Sequence, residues 1–379
     1  MDSPDSLAHL SYQVILYLDV LPNNELPLMT QKPLPLEDIE HIFRHTAPSW
    51  EGLRDRNIFI TGGTGFFGCW LLETFCSINR SLALNARATV LTRSPVAFQR
   101  KAPHLASDPS ITILSGDVRS FAFPEGDFPF VIHAATEASA SQAADAPLEM
   151  MTTILAGTQR TLEFAASHGT RRFLLTSSGA VYGKQPSGIT HLPETYMGAP
   201  DPLDPGSVYA EGKRASELMC SLFQRTTNME CLIARCWAFC GPHLPLDTHF
   251  AIGNFIGDVL AGRSIQIKGD GTARRSYLYG SDLAIWLWTM LFRGPSLVPI
   301  NVGSANDVSI LELAEEVAAV LNPTNTIYVA RKSLPDAELA RYVPSVARAR
   351  DYLGLEQTVS LRETIRRTAA WYRNASEER

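Results

Sequence analysis

Apolar residues fall into two alternating rhythms along this chain. Short, almost wholly apolar runs recur: NIFITGG (57–63), ATVLTR (88–93), ITILSGDV (111–118), FVIHAAT (130–136), RFLLTSS (172–178) and CLIARCWAF (231–239). Strands covered on both faces must be apolar throughout, so each run predicts a buried strand. Between several of them lie stretches with helical spacing, such as FFGCWLLETFCSI (66–78) and LEMMTTILAGTQRTLEFAASHG (148–169). Strands alternating with helices predict βαβ units and a doubly wound parallel sheet of the α/β class.

Beyond Gly241 the rhythm loosens. Helical patterns appear at HFAIGNFIGDVLAGR (249–263), SDLAIWLWTMLF (281–292), SILELAEEVAAVL (309–321) and VSLRETIRRTAAWYR (359–373). PINVGS (299–304) reads as one more strand of the main sheet. The pattern predicts a smaller C-terminal lobe interleaved with that sheet. Residues 1–54 are proline-rich and irregular, with one helix predicted at LPLEDIEHIFRH (34–45). The apolar run at 10–21 carries Asp19 and is too short to span a bilayer, which takes roughly 20 residues.

Composition narrows the class. Of 379 residues, 45% are hydrophobic and 19% charged, as in ordinary globular proteins. The formal charge of -6 argues against a nucleic-acid partner, which needs a basic face. Six cysteines at 69, 76, 220, 231, 236 and 240 lack the spacing of metal ligands, so no metal is expected. With no signal-peptide pattern, the expected location is the cytoplasm and no membrane is involved.

Gly62, Gly65 and Gly68 follow the first strand and open a helix. Gly62 permits the tight turn, Gly65 lets a pyrophosphate approach the backbone, and Gly68 lets helix and strand pack closely. The helix N-terminus adds N–H groups and partial positive charge for phosphates. The pattern thus predicts a Rossmann-type site for NADP or NAD. A carboxylate ending the second strand would favour NAD, but Thr92 and Arg93 stand there, which favours NADP; Arg93 could equally stack on adenine or be solvated. Asp117 is a candidate for the adenine amino group, or else a helix cap.

Tyr209 and Lys213 lie four residues apart in SVYAEGKRASELM, on one face of a predicted helix. A nearby ammonium lowers a phenol's pKa, and such a tyrosine can take a proton from an alcohol. A surface pair is the bland alternative. Ser178, at the carboxyl end of RFLLTSS, could share that proton or simply cap a turn.

Taken in order, TGGTGFFG, SGDV, HAAT, TSSGAVYG, YAEGK and RSYLYGSDLA resemble the extended short-chain dehydrogenase/reductase family, within it the nucleotide-sugar epimerase and dehydratase branch. The likeness spans roughly residues 56 to 373. It implies that Tyr209 is the acid/base, that Lys213 holds the nicotinamide ribose, and that Ser178 meets the substrate hydroxyl. It implies cofactor contacts from Phe66, Phe67, Val118, Ala134, Ala135 and Thr136, beside Gly62, Gly65, Gly68, Thr92, Arg93 and Asp117. Arg275 corresponds to an arginine that binds the substrate diphosphate, although a surface salt bridge would also explain it. Asn254 and Tyr342 fall at substrate-binding positions, and Asp282 at a structural acid.

Three departures matter. Sugar 4,6-dehydratases carry Thr-Asp-Glu where this chain has Ser178, Gly179 and Ala180, so no carboxylate remains there, and Glu137 on the neighbouring strand end is not expected to substitute. Ala238 and Ile154 each replace an asparagine usual in the family. The reading that follows is a nucleotide-sugar 4-epimerase with NAD(P) kept bound, acting on a nucleotide-diphosphate sugar through a 4-keto intermediate. The alternatives are a 4-keto-sugar reductase, then a 4,6-dehydratase or decarboxylase; a non-catalytic nucleotide-binding module would have no need of the tuned phenol. The expected organisation is an N-terminal extension (1–54), an NAD(P)-binding domain (55–240) and a mostly substrate-binding lobe (241–379), with about 278–304 returning to the first domain. A homodimer is expected through the helices at 148–168 and 207–225, on Met150, Leu162, Leu218 and Leu222.

Overall fold

A computed structural model describes residues 31–135, 145–248, 250–332 and 339–376; Thr136, Glu137 and the run at 10–21 lie outside the described residues. The predicted strands form one seven-stranded sheet. In chain order they are β1 (Asn57–Thr61), β2 (Arg87–Thr92), β3 (Ile111–Ser115), β4 (Phe130–His133), β5 (Arg172–Ser178) and β6 (Glu230–Cys236), followed by Ile300–Val302. Across the sheet the order is Ile300–Val302, β6, β5, β4, β1, β2, β3. Every pairing is parallel, so the sheet is doubly wound as the apolar runs require.

From β1 the chain winds outward through β2 and β3, then returns to β4 and winds the other way. The order therefore reverses between β1 and β4, and a ligand crevice opens outside their carboxyl ends. Side chains alternate across the sheet. Phe59, Val131 and Phe173 pack on one face with Phe121, Phe128 and Phe164. Ile58, Ile60, Ile132 and Leu174 pack on the other with Trp70, Phe75, Trp286 and Trp288. The helix Gly280–Arg293 lies in that second layer and is apolar nearly all round, as a buried helix must be.

The segment before β1 belongs to this same core. Its helix Leu36–Thr46 buries Ile39 and Ile42, and Trp50 and Leu53 are fully enclosed. Trp50 stacks 4.5 Å from Trp288. Asp38 is buried as well, accepting from the Tyr279 hydroxyl and from Arg367, both at 2.7 Å.

The second lobe gathers the helices Ala251–Leu260, Ile310–Leu321 and Leu361–Ser376 around Ile252, Ile256, Leu313, Val317 and Ile365. Two short sheets edge it. In one of them Arg274–Ser276 lies between Asp307–Ser309 and Arg341–Tyr342, which pairs Tyr342 with Arg275. Asp282 ties the lobes together by accepting from the backbone N–H groups of Thr358 and Val359 at 3.0 and 3.1 Å.

Candidate active site

The crevice begins at the glycine turn. Gly62 adopts φ +72, and a Cβ there would fall 2.4 Å from the Ala134 carbonyl carbon. A Cβ on Gly68 would fall 2.2 Å from the Gly63 carbonyl carbon. Gly65 is the N-cap of the helix Phe66–Ser81, and no side chain caps it. The first N–H groups of any helix lack intrahelical partners, so this one presents a bare anion cradle. An added carbon at Gly62 or Gly68 would strike backbone, so these two glycines let the turn, the end of β4 and the helix pack closely. Phe67 packs edge-on against Phe239 at 5.0 Å, and Phe66 bridges the cores of both lobes.

A buried polar chain runs beneath this turn. His133 places Nδ1 2.8 Å from Thr61 Oγ1 and Nε2 3.2 Å from Thr158 Oγ1. Thr61 Oγ1 also accepts from the Ala135 N–H at 3.1 Å, and Thr158 Oγ1 meets Ser216 Oγ at 2.9 Å. The His133 carbonyl accepts from Thr176, whose own carbonyl accepts from Lys213 Nζ at 2.8 Å. Burial pushes the His133 imidazole down to about 3, so it is neutral and bridges hydroxyls as donor and acceptor. His133 sits in an apolar strand pattern, which gives it no functional signal in the sequence.

At the carboxyl end of β2, Thr92 is buried and Arg93 exposed. Asp117 does not stand alone, because it accepts from the Arg119 N–H, Nε and Nη2, each at 2.8 Å. Those contacts hold its carboxyl below the usual range. Val118 is buried in the core with Leu91 and Phe121.

Ser178, Tyr209 and Lys213 come together where β5 meets the helix Val208–Thr226. That helix starts after the DPLDPG stretch, where Asp204 Oδ1 accepts from the Gly206 N–H at 2.8 Å. Ser178 ends β5 with its side chain beside Tyr209, and its Oγ accepts from the Ala180 N–H at 3.1 Å. The expectation that Lys213 lowers the Tyr209 pKa is corrected here. Burial pushes the phenol up to about 12, and Lys213 Nζ stands 5.9 Å from its ring centroid, spent on the Thr176 carbonyl. Burial likewise brings the ammonium down to about 8.

Tyr342 approaches the same serine from the second lobe. Its ring lies 4.4 Å from Trp237, which lies 5.9 Å from Tyr182. Gly179 is compulsory beneath them: a Cβ would fall 2.7 Å from the indole and 2.8 Å from the Tyr342 hydroxyl. The indole therefore fills the space over position 179, and Ala180 follows it. Asn301 fixes this wall. Its Oδ1 accepts from Tyr182 at 2.9 Å and Trp237 at 3.1 Å, while its Nδ2 donates to the Leu192 and Ser345 carbonyls. Trp237 and Asn301 sit in apolar strand patterns and carry no functional signal there.

Arg275 stands 6.0 Å from the Tyr342 ring and donates to the Arg274 carbonyl at 2.8 Å. It has no acidic partner among the described residues, and burial lowers its pKa. Asn254 is half-buried on the helix Ala251–Leu260. Ile154 packs on Gly212, where a Cβ would meet it at 2.9 Å.

A family model described as the NAD dependent epimerase/dehydratase family matches residues 58–303. The chain belongs to that family. A UDP-glucuronic acid decarboxylase 1 of Arabidopsis thaliana is 30% identical over 329 residues, covering 86% of this chain and 72% of that protein. Solved structures share the fold. A UDP-N-acetylglucosamine 4-epimerase from Methanobrevibacter ruminantium gives a TM-score of 0.73 at 20% identity, covering 85% of this chain and 99% of that one. A Thermus thermophilus UDP-glucose 4-epimerase solved with NAD gives 0.68 at 24% identity, covering 84% and 99%. This chain is accordingly an enzyme of the nucleotide-sugar epimerase, dehydratase and decarboxylase group, and its cofactor is NAD or NADP.

Proposed function

We propose that the enzyme is a nucleotide-sugar 4-epimerase. The observation that carries this reading is the packing of Trp237 and Tyr342 over Gly179, next to Ser178 and Ala180, which fills the place where dehydratases carry acids. When bound, the dinucleotide supplies a reversible hydride acceptor. The positive charge of a bound oxidised nicotinamide would favour the Tyr209 phenolate, which would then take the proton from the sugar C4 hydroxyl while Ser178 orients that hydroxyl. Lys213 holds the nicotinamide ribose from the floor of the site. Gly62, Gly65, Gly68, Phe66 and Phe67 cradle the pyrophosphate, with Ala134 and Ala135 along one side. Arg275 binds the substrate diphosphate, its buried guanidinium being ready for an anion. Asn254 and Tyr342 complete the sugar-nucleotide pocket. On this reading the residues through about 240 serve the cofactor and most of the remainder serves the substrate.

The test is incubation of the purified enzyme with a panel of nucleotide-diphosphate hexoses. Epimeric product without net change in dinucleotide absorbance supports the reading; stoichiometric consumption of NADPH would replace it with a 4-keto-sugar reductase.

A second reading rests on the Arabidopsis relative. Missing acids count against dehydration, which needs a base at C5. They weigh less against decarboxylation, because a 4-keto uronate is a β-keto acid and loses carbon dioxide once C4 is oxidised. Carbon dioxide released from UDP-glucuronate would favour this reading.

A homodimer is also proposed, through the helices Pro147–Ser167 and Val208–Thr226. Leu148, Leu218 and Leu222 stand 83, 61 and 53% exposed there, whereas Met150 and Leu162 are core. Light scattering on the purified protein decides it; a monomer at assay concentration would sink this assembly.

A further inference from the structure

Lys101 is absent from every role assigned above, yet it touches the cofactor cradle. It ends the helix Pro95–Lys101 that follows β2, and its Nζ donates to the Thr64 carbonyl at 2.7 Å. Thr64 lies inside the glycine turn, between Gly63 and Gly65. The lysine is held there from behind, because the Gln31 N–H donates to its carbonyl at 2.6 Å. Cys69 Sγ faces both Gln31 Oε1 at 3.7 Å and the Thr64 carbonyl at 3.9 Å, closing the bracket.

The charge has no evident counterpart. No carboxylate forms an ion pair with Lys101 among the described residues. Glu73, which shares its neighbourhood at Cys69, is taken up by the Leu34 N–H, His104 and His243. An ammonium has three donors, and Thr64 uses one. A half-buried cation with donors to spare, anchored on a phosphate-binding turn, calls for an anion at that turn.

We propose that Lys101 binds a phosphate of the cofactor's adenosine half. This rests on the dinucleotide site described above. Two phosphates offer the same chemistry, the 5′-diphosphate common to both cofactors and the 2′-phosphate of NADP alone.

The experiment titrates NADH and NADPH into wild-type enzyme, Lys101→Met and Lys101→Gln, following nicotinamide fluorescence at low and high salt. Gln keeps an N–H for the Thr64 carbonyl but removes the charge. A lost charge-assisted contact weakens binding on the order of tenfold or more in both variants, by a factor that shrinks as salt rises. Equal losses for the two cofactors place the lysine on the 5′-diphosphate; a loss confined to NADPH places it on the 2′-phosphate. Wild-type affinity in Lys101→Gln, or a loss independent of salt, overturns the proposal and leaves the lysine a brace for Thr64. Failure of wild-type enzyme to bind either dinucleotide, when none has copurified with it, is a different result and would refute the cofactor site itself.

Discussion

Tyr342 and Tyr209, from different lobes, both approach the Ser178 side chain, so two phenols converge on one residue. A sugar hydroxyl entering this cluster meets three protein hydroxyls and no carboxylate from residues 178–180. Tyr209→Phe should lower turnover by roughly 10²–10⁴, the usual worth of a positioned acid/base. It should leave dinucleotide affinity unchanged. Steady-state rates with the preferred sugar nucleotide, beside a cofactor titration, check both halves; retained turnover would remove Tyr209 from the reaction.

Gly179 is pinned beneath Trp237 and Tyr342. Gly179→Ala should cost about 1–3 kcal/mol through overpacking and displace the aromatic wall. The double variant with Trp237→Leu should recover stability without recovering turnover. Denaturant unfolding of the three proteins reads the first effect and initial rates the second.

Arg275 should act on binding more than on chemistry. Losing a charged hydrogen-bond donor costs about 1.5–3 kcal/mol, so Arg275→Met should raise KM roughly ten- to a hundredfold. The fall in kcat should be much smaller. A KM near the wild-type value would show that the diphosphate binds elsewhere.

The His133 imidazole gives stability a pH dependence whose sign follows from its environment. Folding depresses its pKa from 6.5 to about 3, so the unfolded chain takes up a proton that the folded protein refuses. Stability from this group is intact above pH 6.5 and drains away as pH falls towards 3. His133→Gln should be less stable than wild type at pH 7, yet lose less between pH 7 and pH 4. Urea midpoints at the two pH values measure it; parallel losses would mean that other groups govern acid unfolding.

Much of the architecture was legible because a strand buried on both faces leaves an unbroken apolar run, as at Ile58–Ile60 and Phe173–Leu175. Ser178, Tyr209 and Lys213 were legible for a related reason, since strand ends and helix starts share the crevice of a parallel sheet. Spacing did not reveal where the Lys213 ammonium would go. Four residues along a helix place two side chains on one face, but the Thr176 carbonyl then claimed the lysine. Trp237 was hidden because an indole within an apolar run reads as core. Residues 36–53 read as an appendage because prolines break their pattern, and an amphipathic helix does not name the surface that will cover it.

The pairing of Asp38 with Arg367 joins residues 329 positions apart. Translation makes the acid first, and its guanidinium follows only 329 residues later. Until then Asp38 has the Tyr279 hydroxyl at most, and an uncompensated buried charge costs about 3–5 kcal/mol. The wall that the leading helix builds over the sheet therefore closes late, sealed by the trailing helix, and a nascent chain stalled before Arg367 would expose Trp50 and Ile42 to chaperones.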